Sequence, residues 1–446
     1  MNKYSQKIMS LLDTHFKSHY NYINYDNESI IIKMIKIFDH ISSKQNDTMN
    51  IILNENIPKL HDVNQQSLIH IAILKLFREN ILQKYHECDT NIADLNCFIE
   101  WFKKNETSIN LKKMISQIKD NNLKQILFHP NKNRQFLHEL LYENSFIPYY
   151  VIHGAESIDL QYIHYNGNNC DIYVYQPKYD VNTTNFNVEL VSKIISFMRT
   201  LFNREDLHVK LIVLLSKQKK HLPCENENKF FSPENVNSGA TVREDNIMIW
   251  REEEFYKVLI HELIHYFGID FYITDPIYKR IDNIFKNNFI IDGIDRVNEA
   301  YTEILALTIH SVIYGVLHKK QFSEIIAYEK LFSQYQVAKI LECMNIFKFE
   351  DLTSKKIIQS TSVCSYYIIK CIFLLNINIF LNYWTKHGYF INDKTNNSFF
   401  EIYQQIANIR SINTKIINDM ISFINQNKNE NSFVFTTMRM TMFQLF

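Results

Sequence analysis

Apolar residues recur at three- and four-residue spacing in the first third of the chain, for instance in residues 30–40, 67–78 and 94–103. This period places the apolar side chains on one face of a helix. The pattern therefore predicts a helical N-terminal region over residues 1–150. No constellation of catalytic residue types stands out within it.

The alternation of apolar and polar residues that is typical of strands appears next, in residues 151–270. Asn166-Gly167-Asn168 separates two alternating runs, as expected for a hairpin turn. This region is predicted to be α+β, with a small mixed sheet. Its predicted elements, in chain order, are strands over 160–165 and 171–175, a helix over 188–202, a central strand over 209–216, a strand at the end of 241–250, and a helix from about Glu252.

Helical spacing returns in residues 271–446, with a short alternating segment over 433–442. The longest apolar run, 366–384, contains Lys370 and several asparagines, so it is predicted to be a buried core helix rather than a membrane span. The predicted fold is therefore α+β, a small mixed sheet flanked by mostly helical N- and C-terminal regions.

Composition and charge exclude several classes of function. Lys+Arg and Asp+Glu both number 48, so the formal net charge is zero and a bulk attraction to nucleic acid or to an anionic membrane is not expected. The 7 glycines never cluster, which excludes a phosphate-binding loop and a dinucleotide fingerprint. Hydrophobic residues at 46% and charged residues at 22% are typical of a folded globular chain.

The cysteines and the first residues of the chain bear on the compartment. The 7 cysteines are odd in number and widely spaced, without a CxxC pair, which favours free thiols in a reducing compartment. The residues after Met1 contain no clean apolar run of the kind found in signal peptides. The sequence therefore predicts a cytoplasmic protein and leaves its oligomeric state open.

One short motif carries chemistry. Residues 258–267 read VLIHELIHYF, in which His261 and His265 stand four apart and face the same way on a helix. Both imidazoles can therefore reach one metal ion. Glu262 lies about 100° round the helix, where it can take a proton from a water beside the metal. This is the H-E-x-x-H arrangement of zinc hydrolases, and Gly268 suits a left-handed end to the helix.

A second motif begins the next long helix, where residues 298–303 read NEAYTE. It resembles the N-E-x-x-x-D/E segment of the gluzincin metallopeptidases, the clan of thermolysin-like enzymes and zinc aminopeptidases. The resemblance covers roughly residues 205–310 and implies a zincin-like core, with Glu299 as the third zinc ligand and Glu303 as a carboxylate that supports a ligating histidine. The spacing of Glu299 and Glu303 agrees independently, because residues four apart share a helix face.

Other residues compete for these roles. The metzincin pattern requires histidine where this chain has Phe271, so it does not apply. The segment between the two motifs is longer than is expected in thermolysin-like members, and its Asp292 and Asp295 are rival third ligands. His310 lies on the same helix face as Glu299, where a buried core histidine is the commoner interpretation.

The resemblance also implies a hydrogen-bond donor to the oxyanion, a Tyr or His well downstream of the third ligand. Tyr366 and Tyr367 are the leading candidates, ahead of Tyr301 and Tyr266. It further implies that the strand before the zinc helix, at 246–250, is an edge strand that pairs with an extended substrate.

The predicted function is hydrolysis of peptide bonds in a peptide or protein substrate, with Zn²⁺ bound by His261, His265 and Glu299 and with Glu262 as general base. The Met-Glu-Asn motif of the aminopeptidases is missing, which favours an endopeptidase. Two alternatives stay open: a catalytically degenerate binding or structural protein, and a zinc hydrolase of a non-peptide amide. An intact Glu262 favours an enzyme, because a structural metal site needs no base.

Overall fold

The chain divides by its contacts into two compact units, one of which comprises Met1–Ile52 and Asp159–Phe446. The other, Leu53–Ile158, lies outside the described residues, as do the predicted helices over 67–78 and 94–103. The first unit contains residues from all three predicted regions. The computed structural model describes residues 10, 12–13, 25–26, 28–43, 50–52, 160–177, 186–216, 218–223, 230–293, 295–392, 394–406, 414–427 and 433–445.

A six-stranded mixed sheet forms the centre of this unit, with the strand order β1-β2-β3-β4-β6-β5. Strands β3, β4 and β6 are parallel, and the remaining neighbours pair antiparallel. A separate parallel pair joins β7 (Ile290–Gly293) to β8 (Lys356–Gln359). The six strands are β1 (Asn50–Ile52), β2 (Leu160–Asn166), β3 (Cys170–Pro177), β4 (Val209–Ser216), β5 (Gly239–Val242) and β6 (Asn246–Arg251).

The sheet confirms the α+β prediction and several predicted elements. β2 and β3 form the hairpin expected around Gly167, with Tyr165 opposite Ile172. The next strand runs parallel to β3, which requires a crossover, and the predicted helix Val188–Phe202 supplies it. β4 lies between β3 and β6, and Leu211 and Val213 are fully buried, as a central strand requires.

Helices cover the sheet and complete the unit. The helix Phe255–Tyr266 carries the H-E-x-x-H residues and packs on β5 and β6 and on the helix Asn298–His318. We call these two the HExxH helix and the Glu299 helix. The other helices of the described chain are Ser29–Ser43, Val188–Phe202, Pro233–Val236, Pro276–Asn288, Phe322–Cys343, Lys370–Leu375, Ile377–His387, Asn396–Ile406, Lys415–Asn427 and Phe433–Thr436, with a 3₁₀ turn at Phe349–Thr353 and a π-helical turn at Cys364–Ile369.

The Glu299 helix lies inside the protein and is apolar over most of its length. Every residue from Asn298 to Gly315 is buried. It is the one helix of the described chain that is long and apolar enough to cross a membrane, and 89% of that apolar stretch is buried inside the protein. Core helices of soluble proteins have the same composition.

The apolar run over 366–384 is not one helix. It bends by 83° between the helices that end at Leu375 and begin at Ile377, so the prediction of a single buried helix is wrong. Asn376 occupies the break, and its Nδ2 donates to the carbonyl oxygen of Ile372 at 2.9 Å. Asparagine readily replaces backbone hydrogen bonds with side-chain ones, which suits a helix end.

Residues 437–445 form an irregular, mostly buried segment that we call the buried strap. Two carboxylates that are themselves buried accept its backbone amides: Glu254 from Met440 and Thr441, each at 2.7 Å, and Glu329 from Met442 at 3.0 Å. A non-helical segment inside a protein needs such partners for its backbone groups. The strap therefore belongs to the core and is held largely through its main chain.

Candidate metal centre

The HExxH helix begins after Glu254, whose φ of 61° lies in the left-handed region, and ends at a turn through Gly268, φ 67°. The amides of Gly268 and Ile269 donate to the carbonyl oxygens of His265 and Ile264, which completes the last helical turn. The predicted left-handed helix end at Gly268 is confirmed. A side chain at Gly268 would also meet the guanidinium of Arg243 at 2.9 Å.

The structure brings His261, His265 and Glu299 together. Nε2 of His261, Nε2 of His265 and Oε2 of Glu299 form a triangle with sides of 3.1, 3.2 and 3.2 Å. Four ligands at zinc bond lengths of about 2.0–2.1 Å in a tetrahedron would stand about 3.3–3.4 Å apart. The two imidazoles and one carboxylate therefore fit a zinc ion in both donor type and spacing. No other group of three such donors occurs within the described ranges.

The charges of the three groups depend on one another. Burial disfavours the protonated ring of His265, but the carboxylates of Asp270 and Glu299 outweigh burial and raise its pKa well above the usual value. Burial likewise opposes ionisation of Glu299, yet the two imidazoles hold the pKa of its carboxyl below the ordinary range. Protons therefore compete with any cation for this site.

Glu303 lies behind His261, as the sequence predicts. Its Oε1 is 2.8 Å from Nδ1 of His261, a separation within ion-pair range. Both oxygens of Glu303 accept from the buried ammonium of Lys257. Burial raises the pKa of Glu303, but Lys257 and His261 outweigh it and keep the carboxyl ionised. Glu303 therefore presents a negative charge to the far nitrogen of His261.

Sequence analysis missed the partner of the second histidine. Nδ1 of His265 is 2.9 Å from Oδ2 of Asp270, which also accepts from Nδ2 of Asn298 at 3.0 Å. Asp270 lies five residues after His265, a spacing that does not share a helix face. The turn at Gly268 reverses the chain and brings the carboxylate back, and that glycine was the only signal in the sequence.

Glu262 is also buried, beside the three donors. Its Oε2 accepts from Oγ1 of Thr241 at 2.7 Å. A Cβ at Gly239 would stand only 2.7 Å from its Oε1, so the missing side chain makes room for this carboxylate. Burial raises the pKa of Glu262, and His261 and His265 offset part of that rise. A carboxylate with a raised pKa is a better proton acceptor.

Of the two predicted tyrosines, one faces the cluster and the other does not. The ring of Tyr366 lies 6.3 Å from the ring of His261, whereas the hydroxyl of Tyr367 donates to the carbonyl oxygen of Met438 in the buried strap. Burial and the charges of nearby carboxylates, Glu299 first, raise the pKa of Tyr366 well above its usual value. Its hydroxyl therefore keeps its proton and can donate a hydrogen bond.

The other tyrosines have different partners. The hydroxyl of Tyr301 donates to the carbonyl oxygen of Tyr389, and that of Tyr266 donates to the carbonyl oxygen of His208 at 2.8 Å. Both contacts tie elements of the core together. Neither hydroxyl points to the three donors, so Tyr366 is the tyrosine that the geometry places at the cluster.

The rival ligands do not join the cluster. Asp292 is exposed and pairs with Lys356 at 2.7 Å, while Asp295 is half-buried and accepts from Oγ of Ser365 at 3.1 Å. Burial raises the pKa of Asp295 to about 6. His310 is buried, and burial followed by the charge of Lys257 lowers its pKa to about 3. None of the three belongs to the donor group.

The prediction that the strand before the HExxH helix is an edge strand is wrong. β6, which directly precedes the HExxH helix, is interior, between β4 and β5. The chain turns back after β5, so β5 is the outermost strand within the described ranges, with Gly239 and Thr241 both touching Glu262. The order of strands in a sheet is a tertiary property, and it cannot be predicted from the periodicity of β5 or β6.

No protein-family model, no curated protein and no solved structure matches this chain. The structure places together three donors that could hold a metal ion, a buried carboxylate beside them, and a tyrosine whose ring lies 6.3 Å from one of the imidazoles.

Proposed function

We propose that this chain is a zinc-dependent metallopeptidase with a zincin-like core of the gluzincin type. The observation that carries the proposal is the triangle of His261, His265 and Glu299. Its donors come from two separate helices, with Glu299 34 residues after His265, and they still meet within 3.2 Å. The local spacing of an H-E-x-x-H motif arises by chance in some helices. A third donor arriving at the same point from a separate element is much harder to obtain by chance.

His261, His265 and Glu299 would hold the zinc ion. When bound, zinc acts as a Lewis acid that polarises a carbonyl group and acidifies water. Glu262 takes the proton of the attacking water and passes it to the leaving amine, and Thr241 holds its carboxylate in place through a 2.7 Å hydrogen bond. Tyr366 donates to the oxyanion that develops as the amide carbon becomes tetrahedral.

The substrate is proposed to lie along β5 as an added strand. Among the described strands, β5 is the outermost of its sheet, so its outer edge can pair with a peptide main chain whatever the peptide's sequence. The same strand contacts Glu262, so a peptide paired with it passes close to the general base.

An endopeptidase is favoured over an aminopeptidase. An aminopeptidase needs a carboxylate near the site that is not already paired and can bind the free amine of the substrate. Glu253 and Glu254, which precede the HExxH helix, are both buried and engaged: Glu253 accepts from the backbone amide of Lys220, and Glu254 accepts from its ammonium, each at 2.8 Å. These acids stabilise the core, and we assign them no role in binding substrate.

A reducing, cytoplasmic location is part of the proposal. Cys364 and Cys371 are free cysteines, and both are buried. Burial raises the pKa of the Cys364 thiol well above its usual value, which makes it unreactive.

The test compares wild type with Glu262→Gln, which keeps the size of the side chain but cannot accept a proton. Both proteins, stripped of metal and reconstituted, should hold one zinc per chain by elemental analysis. Cleavage of a panel of unfolded proteins, followed by mass spectrometry, should fall by at least about 100-fold in the variant. Equal cleavage by both would remove Glu262 as the base. Zinc bound without cleavage by either would favour a non-catalytic module, and a wild type without zinc would refute the proposal.

A further inference from the structure

We infer that Asp270 is a positioning residue of the metal centre, which fixes the ring of His265 and couples it to the Glu299 helix. This inference rests on the proposed zinc site. The two ring nitrogens of His265 contact different carboxylates: Nδ1 is 2.9 Å from Oδ2 of Asp270, and Nε2 is 3.2 Å from Oε2 of Glu299. A carboxylate at Nδ1 holds that nitrogen in its N–H form and leaves the lone pair of Nε2 for a metal ion.

The position of Asp270 is fixed by the backbone that leads to it. Gly268 takes a left-handed φ of 67°, and the amide of Ile269 donates to the carbonyl oxygen of Ile264 at 3.1 Å. These contacts reverse the chain after the HExxH helix, and the Asp270 side chain is left only 3% exposed. A buried carboxylate must be paired, which constrains its orientation further.

Two donors from separate elements complete that pairing. Nδ2 of Asn298 donates to Oδ2 of Asp270 at 3.0 Å, and Nη2 of Arg243 is 3.4 Å from Oδ1. Asn298 directly precedes Glu299, so Asp270 joins one proposed ligand to the start of the helix that carries another. Arg243 follows β5 and also donates from Nε to the carbonyl oxygen of His265 at 3.3 Å.

Each proposed histidine ligand therefore has its own carboxylate. Glu303 stands behind His261 and is paired with the buried ammonium of Lys257. Asp270 stands behind His265, and its cationic partner Arg243 is more distant and 25% exposed. The negative charge of Asp270 is neutralised less by its cationic partner than that of Glu303, so it should act more strongly on the imidazole that it contacts.

The experiment measures metal binding rather than turnover. Asp270→Asn keeps the size of the side chain but removes the charge, and outer residues of this kind alter metal affinity by about 10–100-fold when replaced. Competition with a zinc chelator should show a loss in that range. The absorption bands of the cobalt-substituted protein should shift, which a general loss of stability would not cause. The matched control is Asp292→Asn, an exposed acid paired with Lys356, and it should leave both readouts unchanged.

Asn298→Ala provides a second route that keeps the aspartate. It should weaken zinc binding by less than Asp270→Asn, and it should have no further effect when the two are combined, because both act through one carboxylate. Unchanged zinc affinity and an unchanged cobalt spectrum in Asp270→Asn would overturn the inference while leaving the proposed function intact. If Asp270→Asn does not fold, a normal affinity in Asn298→Ala overturns it instead. A wild type that binds no zinc would remove the proposed function itself.

Discussion

Gly239→Ala should impair catalysis while leaving the metal centre and the fold in place. A Cβ at this position would lie 2.7, 2.9 and 3.0 Å from Oε1, Cγ and Cδ of Glu262, where ordinary contacts begin at 3.4 Å. The carboxylate oxygen must therefore retreat by 3.4 − 2.7 = 0.7 Å. Its 2.7 Å hydrogen bond from Thr241 would be strained or lost as it moves.

The size of the effect follows from that displacement. A misplacement of about 1 Å can cost about 100-fold in rate, so we expect turnover to fall by about 10- to 100-fold. The three nearest atoms all belong to the side chain of Glu262, which can move, so the fold should lose no more than about 1 kcal/mol, the worth of one hydrogen bond. Zinc affinity should stay within a few-fold of wild type.

A double-mutant cycle tests whether Gly239→Ala acts through the carboxylate of Glu262. Turnover is measured on one peptide for Gly239→Ala, for Glu262→Gln and for both together, with zinc content and thermal unfolding recorded alongside. If the alanine acts through the carboxylate, it should cost nothing further once Glu262 is glutamine. Losses that multiply in the double variant, or a single variant that is fully active, would refute the reasoning.

Three further outcomes are expected. Glu299→Ala should abolish zinc binding by equilibrium dialysis, whereas Asp292→Ala should not; the reverse pattern would transfer the ligand role. Tyr366→Phe should lower turnover by on the order of 100-fold. Tyr367→Phe should leave turnover unchanged and lower the free energy of unfolding in denaturant by about 1 kcal/mol. Equal turnover for wild type and Tyr366→Phe would show that Tyr366 does not donate to the oxyanion. Zinc binding at neutral pH should release protons and weaken as the pH falls, because the pKa of His265 without metal is raised. Calorimetry in buffers of different ionisation enthalpy would detect the released protons. A binding enthalpy that does not depend on the buffer would contradict the prediction.

The parts of the site that follow a local rule could be predicted from the sequence. His261 and His265 needed only the period of an α-helix, whereas Glu299 and Glu303 were assigned through the resemblance, and the same period showed only that the two share a helix face. Their meeting point was supplied by a resemblance, because no local pattern brings two helices together. Asp270 was missed because a left-handed turn places it, and helical spacing does not reach across such a turn.

Other parts depended on tertiary structure. Tyr366 and Tyr367 are adjacent and identical in type, and their directions are set within the π-helical turn Cys364–Ile369. Such turns alter the angular relation between neighbouring side chains and are frequent at functional sites. Gly239 was visible as a glycine, but its meaning required knowing that β5 lies against the carboxylate of Glu262.

The buried strap has a consequence for the order of events during synthesis. The ribosome makes residues 437–445 after the two acids that accept their amides, Glu329 and Glu254 at the start of the HExxH helix. Until the strap emerges, that carboxylate lacks two amide donors, and Lys257 lacks the sulfur of Met440, which lies 3.6 Å from its ammonium. The surroundings of the donor triad are therefore completed only after translation has passed the strap, so a nascent chain holds an unfinished centre however much of its sheet has already formed.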